Sequence, residues 1–327
     1  MGSFKVILTD FTDSDQQIEA GVFAASGLDL ELIKSVPNTS TDLARIGPDA
    51  DALLVQFAII DRPVLESLRR CQIISRYGVG VDMIDVEAAG DLGIPVANVP
   101  AFCIDEVSTQ TIGFMIDLNR HTLALNDYVH QGGWGSRPVL GAAPRRLAGQ
   151  TLGVVGLGMI GCEVARKAAA LGLTIVACDP YVESVPTGVE MVRLEELLAR
   201  SDYVTLHCPL VPETRGLVGA REFAMMKETA YLLNLSRGPV VDQPALAEAL
   251  ATGVIAGAAL DVMVAEPPSP DDPLLHMANV IITPHTSSWS VESIEQLRHD
   301  AAVNVVDALS GRVPRSVVNR ANLRARA

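Results

Sequence analysis

Along the first hundred residues, short apolar runs recur between segments with helical spacing. FKVILTD (4–10), ADALLVQF (50–57), QIISRYG (72–78) and PVANV (95–99) read as strands, with helices over 61–70 and 85–92. LELIKSV (30–36) adds a further strand, interrupted by Glu31 and Lys34. From Asp105 to about Val129, the residues Ile112, Met115, Ile116, Leu118, Leu123 and Leu125 predict one long, mostly buried helix. Asn98-Val99-Pro100 just before it is a natural hinge.

The Gly/Pro-rich stretch QGGWGSRPVLGAAPRR (131–146) reads as a surface loop or arm. Its Trp134 suits either local loop packing or a subunit contact. Strands then recur near 152–155, 174–178, 203–207, 230–234, 256–260 and 280–282, with helices between them. That alternation predicts a doubly wound parallel sheet of the Rossmann type. A last helix over 293–309 carries Ile294, Leu297, Ala301, Val305 and Leu309 on one face and stops at Gly311. No internal repeat or low-complexity tract interrupts this order.

Composition narrows the function classes. The chain of 327 residues is 49% hydrophobic but only 4% aromatic, so the core is built mainly from Ala, Val, Leu and Ile. Its formal net charge of −14 disfavours nucleic acid and anionic membrane as partners. The longest apolar stretch, Val254 to Ala265, is broken by Asp261 and falls short of the roughly 20 residues a spanning helix needs. Met1 to Asp10 lacks a basic segment before an apolar one, and Val6 stands where a myristoylation signal wants Ser or Thr. Cys71, Cys103, Cys162, Cys178 and Cys208 form no CxxC pair, which suits reduced thiols in a cytoplasmic protein. His121, His130, His207, His276 and His299 show no ligand spacing, and no metal is expected.

Gly156, Gly158 and Gly161 form GxGxxG between an apolar strand and a helix-like run to Leu171. A second strand ends at Asp179, eighteen residues beyond Gly161, completing the βαβ context of a dinucleotide site. Gly156 permits the tight turn, Gly158 lets the backbone approach a pyrophosphate, and Gly161 brings helix against strand. Met159 and Ile160 open the helix and leave the anion to backbone N–H groups. Asp179 would accept from the ribose hydroxyls and repel a 2′-phosphate, so the expected cofactor is NAD rather than NADP. The bland alternative is a glycine turn between packed core elements.

Further on, three apolar runs end in polar groups: Arg237 after YLLNLS, Glu266 after AALDVMVA and His285 after VIITP. Parallel sheets bind ligands beyond the carboxyl ends of their strands, so these dispersed side chains converge on the cofactor's edge. Singly, each also reads as a surface cation, a solvated carboxylate or a strand-end histidine.

The ordered motifs RYGVGVDMIDVEAAGDLGIPVANVPAFCIDEVSTQT (76–111), LGVVGLGMIG (152–161), CDPY (178–181), SDYVTLHCPLVPETRGLV (201–218), LLNLSRGPVVD (232–242), GAALDV (257–262) and NVIITPH (279–285) resemble the D-isomer-specific 2-hydroxyacid dehydrogenases. The branch they resemble most holds the C-terminal-binding proteins and their bacterial relatives. The resemblance implies an NAD-dependent oxidoreductase acting on a D-2-hydroxy acid and 2-keto acid pair. It implies a Rossmann NAD-binding domain over 99–290 and a smaller flavodoxin-like substrate domain from 1–98 and 291–327. The active cleft is expected between them, with hinges near 98–101 and 286–290, in a homodimer formed through the nucleotide domains.

By the same resemblance Arg237, Glu266 and His285 are catalytic. Arg237 would hold the substrate carboxylate and polarise its carbonyl, His285 would exchange the proton, and Glu266 would orient the ring and favour imidazolium. Asp261 falls near the nicotinamide, Cys208 and Pro209 fall near the adenine side, and Leu235 is a further cofactor-binding residue. The turn Tyr77-Gly78-Val79-Gly80 would offer N–H groups to the substrate carboxylate. Arg76 is either a second substrate cation or a strand-end Arg in a surface ion pair. Thr111 either touches the nicotinamide side or only faces its helix, and Phe102 and Cys103 shape either pocket or hinge. Two positions depart from the family: Trp289 lies one residue further from His285 than the aromatic of the C-terminal-binding branch, and Pro239 replaces a frequent glycine. The rival readings are an NAD-sensing scaffold without catalysis, or formate, phosphonate or phosphoglycerate oxidation on the same fold.

Overall fold

A computed structural model describes residues 3–10, 15–34, 43, 45, 47–135 and 143–324. The chain divides into two compact units, Met1–Phe102 with Ser290–Ala327, and Cys103–Trp289. Two parts of the sequence reading, 35–36 of LELIKSV and 136–142 of the arm, lie outside the described residues.

In the first unit, β1 (Phe4–Leu8), β2 (Leu30–Lys34), β3 (Ala52–Val55), β4 (Ile73–Arg76) and β5 (Val96–Ala97) form one parallel sheet, ordered β2-β1-β3-β4-β5. That order is the flavodoxin-like one. The central strands β3 and β4 are buried at every residue, as strands covered on both faces must be. Helices α1 (Gln17–Ser26), α2 (Arg62–Ser67) and α3 (Val86–Asp91) alternate with the strands. Asp61 and Asp85 start α2 and α3 by accepting from the N–H groups of Val64 and Ala88.

The C-terminal helix α10 (Val291–Leu309) returns to this unit and packs on α1 and β4. Arg298 on α10 donates to both carboxylate oxygens of the fully buried Glu19 on α1, at 3.0 and 2.8 Å. The Tyr77 hydroxyl donates to the same carboxylate at 3.0 Å. Two helices distant in sequence, α1 and α10, are thereby tied to the residue that follows β4.

In the second unit, α4 (Ile104–Arg120) and α5 (Thr122–His130) precede β6 (Thr151–Val155), α6 (Met159–Ala170), β7 (Thr174–Cys178), β8 (Val189–Met191), α7 (Leu194–Arg200), β9 (Tyr203–Leu206), α8 (Ala220–Phe223), β10 (Tyr231–Asn234), α9 (Gln243–Ala251), β11 (Gly257–Leu260) and β12 (Val280–Ile282). The seven strands form a parallel sheet ordered β12-β11-β10-β9-β6-β7-β8. Chain order reverses between β6 and β9, which makes the carboxyl ends of those strands the crevice for a ligand. Val155, Val176, Leu206, Leu232 and Leu260 line the core, with Phe223 and Leu246 from the covering helices.

Two details differ from the sequence reading. A seventh strand, β8, joins the six expected; it is a three-residue edge strand with no apolar run to announce it. The single helix expected from Asp105 to Val129 is broken at His121, which adopts φ +54°. Asp117 makes the break, its carbonyl accepting from the His121 N–H and its carboxylate from that of Leu123. Beyond the break α5 has no buried residue, so the buried face ends with α4. Trp134 is 88% exposed. No helix among the described residues is long and apolar enough to cross a membrane.

Candidate active site

The glycine loop joins β6 to α6. Gly156 takes φ +93°, and a Cβ there would stand 2.6 Å from the backbone nitrogen of Cys208. The loop can therefore pass between the ends of β7 and β9 only as glycine. A Cβ on Gly161 would meet the Gly156 carbonyl oxygen at 2.0 Å, whereas one on Gly158 would point into open space. That opening is where a pyrophosphate fits. Among the described residues, the N–H groups of Gly158, Met159 and Ile160 donate to no protein acceptor, leaving the first turn of α6 available to an anion.

Asp179 follows β7 and faces the same loop. Its two carboxylate oxygens accept from the N–H groups of Leu157 and Tyr181, each at 2.8 Å. Each oxygen keeps a lone pair for a ribose hydroxyl. Met159 is half-exposed at the start of α6, Cys208 is buried and Pro209 exposed after β9. Burial pushes the Cys208 thiol up to about 11, with the Asp179 charge adding to it, so it stays a neutral wall group. The site thus fits NAD through backbone donors on the pyrophosphate and a fixed carboxylate at the ribose.

Further along the same sheet edge, the Nδ1 of His285 lies 2.6 Å from Oε2 of Glu266. The other oxygen of Glu266 accepts from the Met263 N–H at 3.0 Å, which fixes the carboxylate plane. Burial pushes the Glu266 carboxyl up, but His285, the Met263 N–H and the Arg237 guanidinium together hold it below the ordinary carboxylate value. Glu266 is therefore an anion against the ring. Arg237 follows β10 in a turn shaped by Asn234, whose amide donates to the Arg237 carbonyl and whose oxygen accepts from the Ser236 N–H and hydroxyl. A Cβ on Gly238 would strike the Met263 carbonyl oxygen at 2.0 Å, so only glycine lets the arginine turn press on the segment that leads to Glu266.

His285 itself adopts φ +55°, which a non-glycine residue holds only when its surroundings impose it. Asp261 imposes it. The Asp261 carbonyl accepts from the His285 N–H at 2.8 Å, and its buried carboxylate accepts from Thr283 Oγ1 (2.5 Å), Thr286 N–H (2.9 Å) and Ser287 N–H (2.9 Å). Asp261 is thus a positioning residue for the histidine loop. Leu235 is buried directly after β10. Thr111 is buried in α4 with its hydroxyl bonded back to the Val107 carbonyl at 2.8 Å.

In the first unit, Tyr77 gives its N–H to the Val55 carbonyl and its hydroxyl to Glu19, so it has no donor left for a substrate. The carbonyls of Gly78 and Val79 accept from Val99 N–H and the Asn98 amide. These bonds hold the turn open, and among the described residues the N–H groups of Val79 and Gly80 donate to no protein acceptor. Arg76 is buried, not on the surface, and its guanidinium packs against Gly78 so closely that a Cβ there would sit 1.4 Å from Nη1. Phe102 and Cys103 are buried.

Sequence reasoning missed the supporting roles of Asn234, Asp261, Thr283 and Ser287. An Asn ending a strand before Ser-Arg-Gly was a readable turn signal. Nothing local marked the partners of the Asp261 carboxylate, which lie more than twenty residues away.

Residues 112–287 match the profile of the D-isomer specific 2-hydroxyacid dehydrogenase NAD binding domain. The chain belongs to the D-isomer specific 2-hydroxyacid dehydrogenase family. It is 39% identical over 290 residues to a D-3-phosphoglycerate dehydrogenase of Methanocaldococcus jannaschii, covering 87% of this chain and 55% of that one. The chain spans about half the length of such phosphoglycerate dehydrogenases. With a glyoxylate reductase of Korarchaeum cryptofilum it shares 38% identity over 303 residues, 90% of either chain. Among solved structures, a D-lactate dehydrogenase of Aquifex aeolicus, complexed with NAD and lactic acid, superposes with a TM-score of 0.82 at 27% identity, over 94% of this chain and 96% of that one. In this dehydrogenase family member the unit of seven strands is an NAD-binding domain.

Proposed function

We propose that the protein interconverts a D-2-hydroxy acid and its 2-keto acid, with NAD(H) as hydride carrier. The observation that carries this reading is the 2.6 Å contact of His285 with Glu266, on the sheet edge that also carries Arg237 and the glycine loop. When bound, NAD(H) supplies or receives the hydride at its nicotinamide ring. Arg237 holds the substrate anion and stabilises negative charge growing on the carbonyl oxygen. Glu266 occupies the Nδ1 side of His285, so Nε2 is the atom that gives the proton to that oxygen in reduction and takes it back in oxidation. The anionic partner fixes the orientation of the ring.

In the first unit, the Val79–Gly80 N–H pair suits a carboxylate. The exposed residues Leu123, Val129 and Trp134 support a homodimer formed through the NAD-binding unit. All five cysteines are free thiols, which suits the cytoplasm. A screen of 2-keto acids with NADH and NADPH tests the assignment. NADH-linked reduction is expected, lost in His285→Ala and Arg237→Ala. NAD binding without turnover of any acid would refute it.

A further inference from the structure

β5 is an edge strand of its sheet, and residues 316–319 lie along its outer side. Ala97 and Val317 form an antiparallel bridge there, and the Val318 N–H donates to the Val96 carbonyl at 2.9 Å. The buried Asn319 side chain accepts from the Val96 N–H and donates to the Ile94 carbonyl, each at 2.9 Å. These bonds fix the segment at one end, and Ser316 at the other end meets Asn98.

Asn98 is buried, and each of its polar groups has a partner. Its N–H donates to the Ser316 carbonyl at 3.1 Å, and its carbonyl accepts from the Asn304 amide on α10 at 3.2 Å. Its side-chain oxygen accepts from the Ser316 hydroxyl, and its amide nitrogen donates to the Val79 carbonyl at 2.6 Å. A carbonyl only accepts, so the atom facing Val79 must be the nitrogen and the atom facing Ser316 the oxygen. The Ser316 hydroxyl is then a donor, and it holds the amide in the one orientation that reaches Val79.

Peptide planarity relays this orientation to the turn. In a trans peptide the C=O and the N–H point opposite ways. The Val79 carbonyl is drawn to the Asn98 amide and the Gly78 carbonyl to the Val99 N–H at 3.0 Å, so the N–H groups of Gly80 and Val79 are turned away from that side. These are the two N–H groups that suit a carboxylate. Without the amide the Val79–Gly80 peptide loses its anchor, and a bound acid has to order it at a cost in affinity.

We propose that Asn98 and Ser316 are positioning residues for the substrate carboxylate: Ser316 orients the Asn98 amide, and that amide orients the Gly80 N–H. The inference rests on the dehydrogenase reading and adds a determinant of acid affinity separate from Arg237, Glu266 and His285.

The test combines steady-state reduction of glyoxylate and pyruvate by NADH with calorimetric binding of oxamate to the NADH-saturated full chain, in the parent and in Asn98→Asp, Ser316→Ala and Ser316→Thr. Asn98→Asp still accepts from Ser316 but gives the Val79 carbonyl no donor. KM for the acids and Kd for oxamate should rise about 10- to 100-fold in that variant, the scale of a buried acceptor left unpaired. Ser316→Ala should raise both about 3- to 10-fold, the scale of one hydrogen bond, and Ser316→Thr, which keeps the hydroxyl, should restore them. KM for NADH should hold throughout. A folding defect lowers the amount of active protein, and so the apparent kcat, but leaves KM and Kd in place. Unchanged acid KM and oxamate Kd in Asn98→Asp, or equal losses for acid and NADH, overturn the proposal. Oxamate binding that Asn98→Asp weakens, in a parent that reduces no acid of the 2-keto acid screen, upholds the positioning and ends the dehydrogenase reading. Turnover with acid KM unmoved in Asn98→Asp and Ser316→Ala does the reverse.

Discussion

Two carboxylate–cation pairs, one in each unit, share a chemistry and differ in burial. Glu19 and Arg298 are almost wholly shielded, with side-chain exposures of 0% and 6%, and the Tyr77 hydroxyl completes the cluster. Glu266 and His285 keep 36% and 29% of their side chains in water. The sealed pair has a permanent cation. Hydrogen bonds from Glu19 raise the guanidinium's hold on its proton further, and burial with the Glu19 charge keeps the Tyr77 hydroxyl protonated. The open pair instead sets an imidazole against its carboxylate within reach of solvent. Burial thus makes one pair a fixed strut below the Val79–Gly80 turn, and exposure leaves the other accessible, as the proposed proton exchange requires.

The largest expected effect breaks the open pair. His285→Ala should lower kcat for keto-acid reduction by about 100- to 10,000-fold while the circular dichroism spectrum stays that of the parent, because a general acid contributes on that scale. Removing one partner of the sealed pair should act on stability instead. Arg298→Met leaves Glu19 charged and buried, and thermal unfolding should show a loss of about 3–5 kcal/mol; a variant as stable as the parent would mean the cluster is not a strut.

Smaller effects sharpen the contrast. Asp179→Ser should raise the NADPH to NADH ratio of kcat/KM about tenfold, by removing the charge that meets a 2′-phosphate. Glu266→Gln should lower kcat for reduction less than His285→Ala does, since an amide still fills the Nδ1 side of the ring but carries no charge. The smallest effect is on folding. The Glu266 carboxyl titrates below its ordinary value of 4.5 in the folded state, so its contribution is present above that pH and fades as pH falls through the lowered value. Unfolding midpoints of the parent and Glu266→Gln should therefore converge in acid.

The sequence was most legible where order is local. Apolar runs marked the strands of both sheets, and the glycine triplet with Asp179 marked the dinucleotide turn. Arg237, Glu266 and His285 were found through resemblance, because a strand-end position alone does not separate them from surface groups. What stayed hidden depends on long-range partners. Glu19 and Arg298 are 279 residues apart, and Asp10 caps a loop 46 to 48 residues away. No periodicity records such pairs. The break at His121 carried no glycine or proline, and β8 was too short and polar to stand out.

The central claim is that Arg237, Glu266 and His285 serve one hydride exchange at a bound nicotinamide. Its most direct test is to incubate the protein with NAD and a D-2-hydroxy acid deuterated at C2, and to follow the label by NMR. The account predicts deuterium on the nicotinamide ring with the parent protein, and transfer slowed at least 100-fold in His285→Ala. Label that stays on the hydroxy acid, or transfers equally fast in the variant, would contradict it.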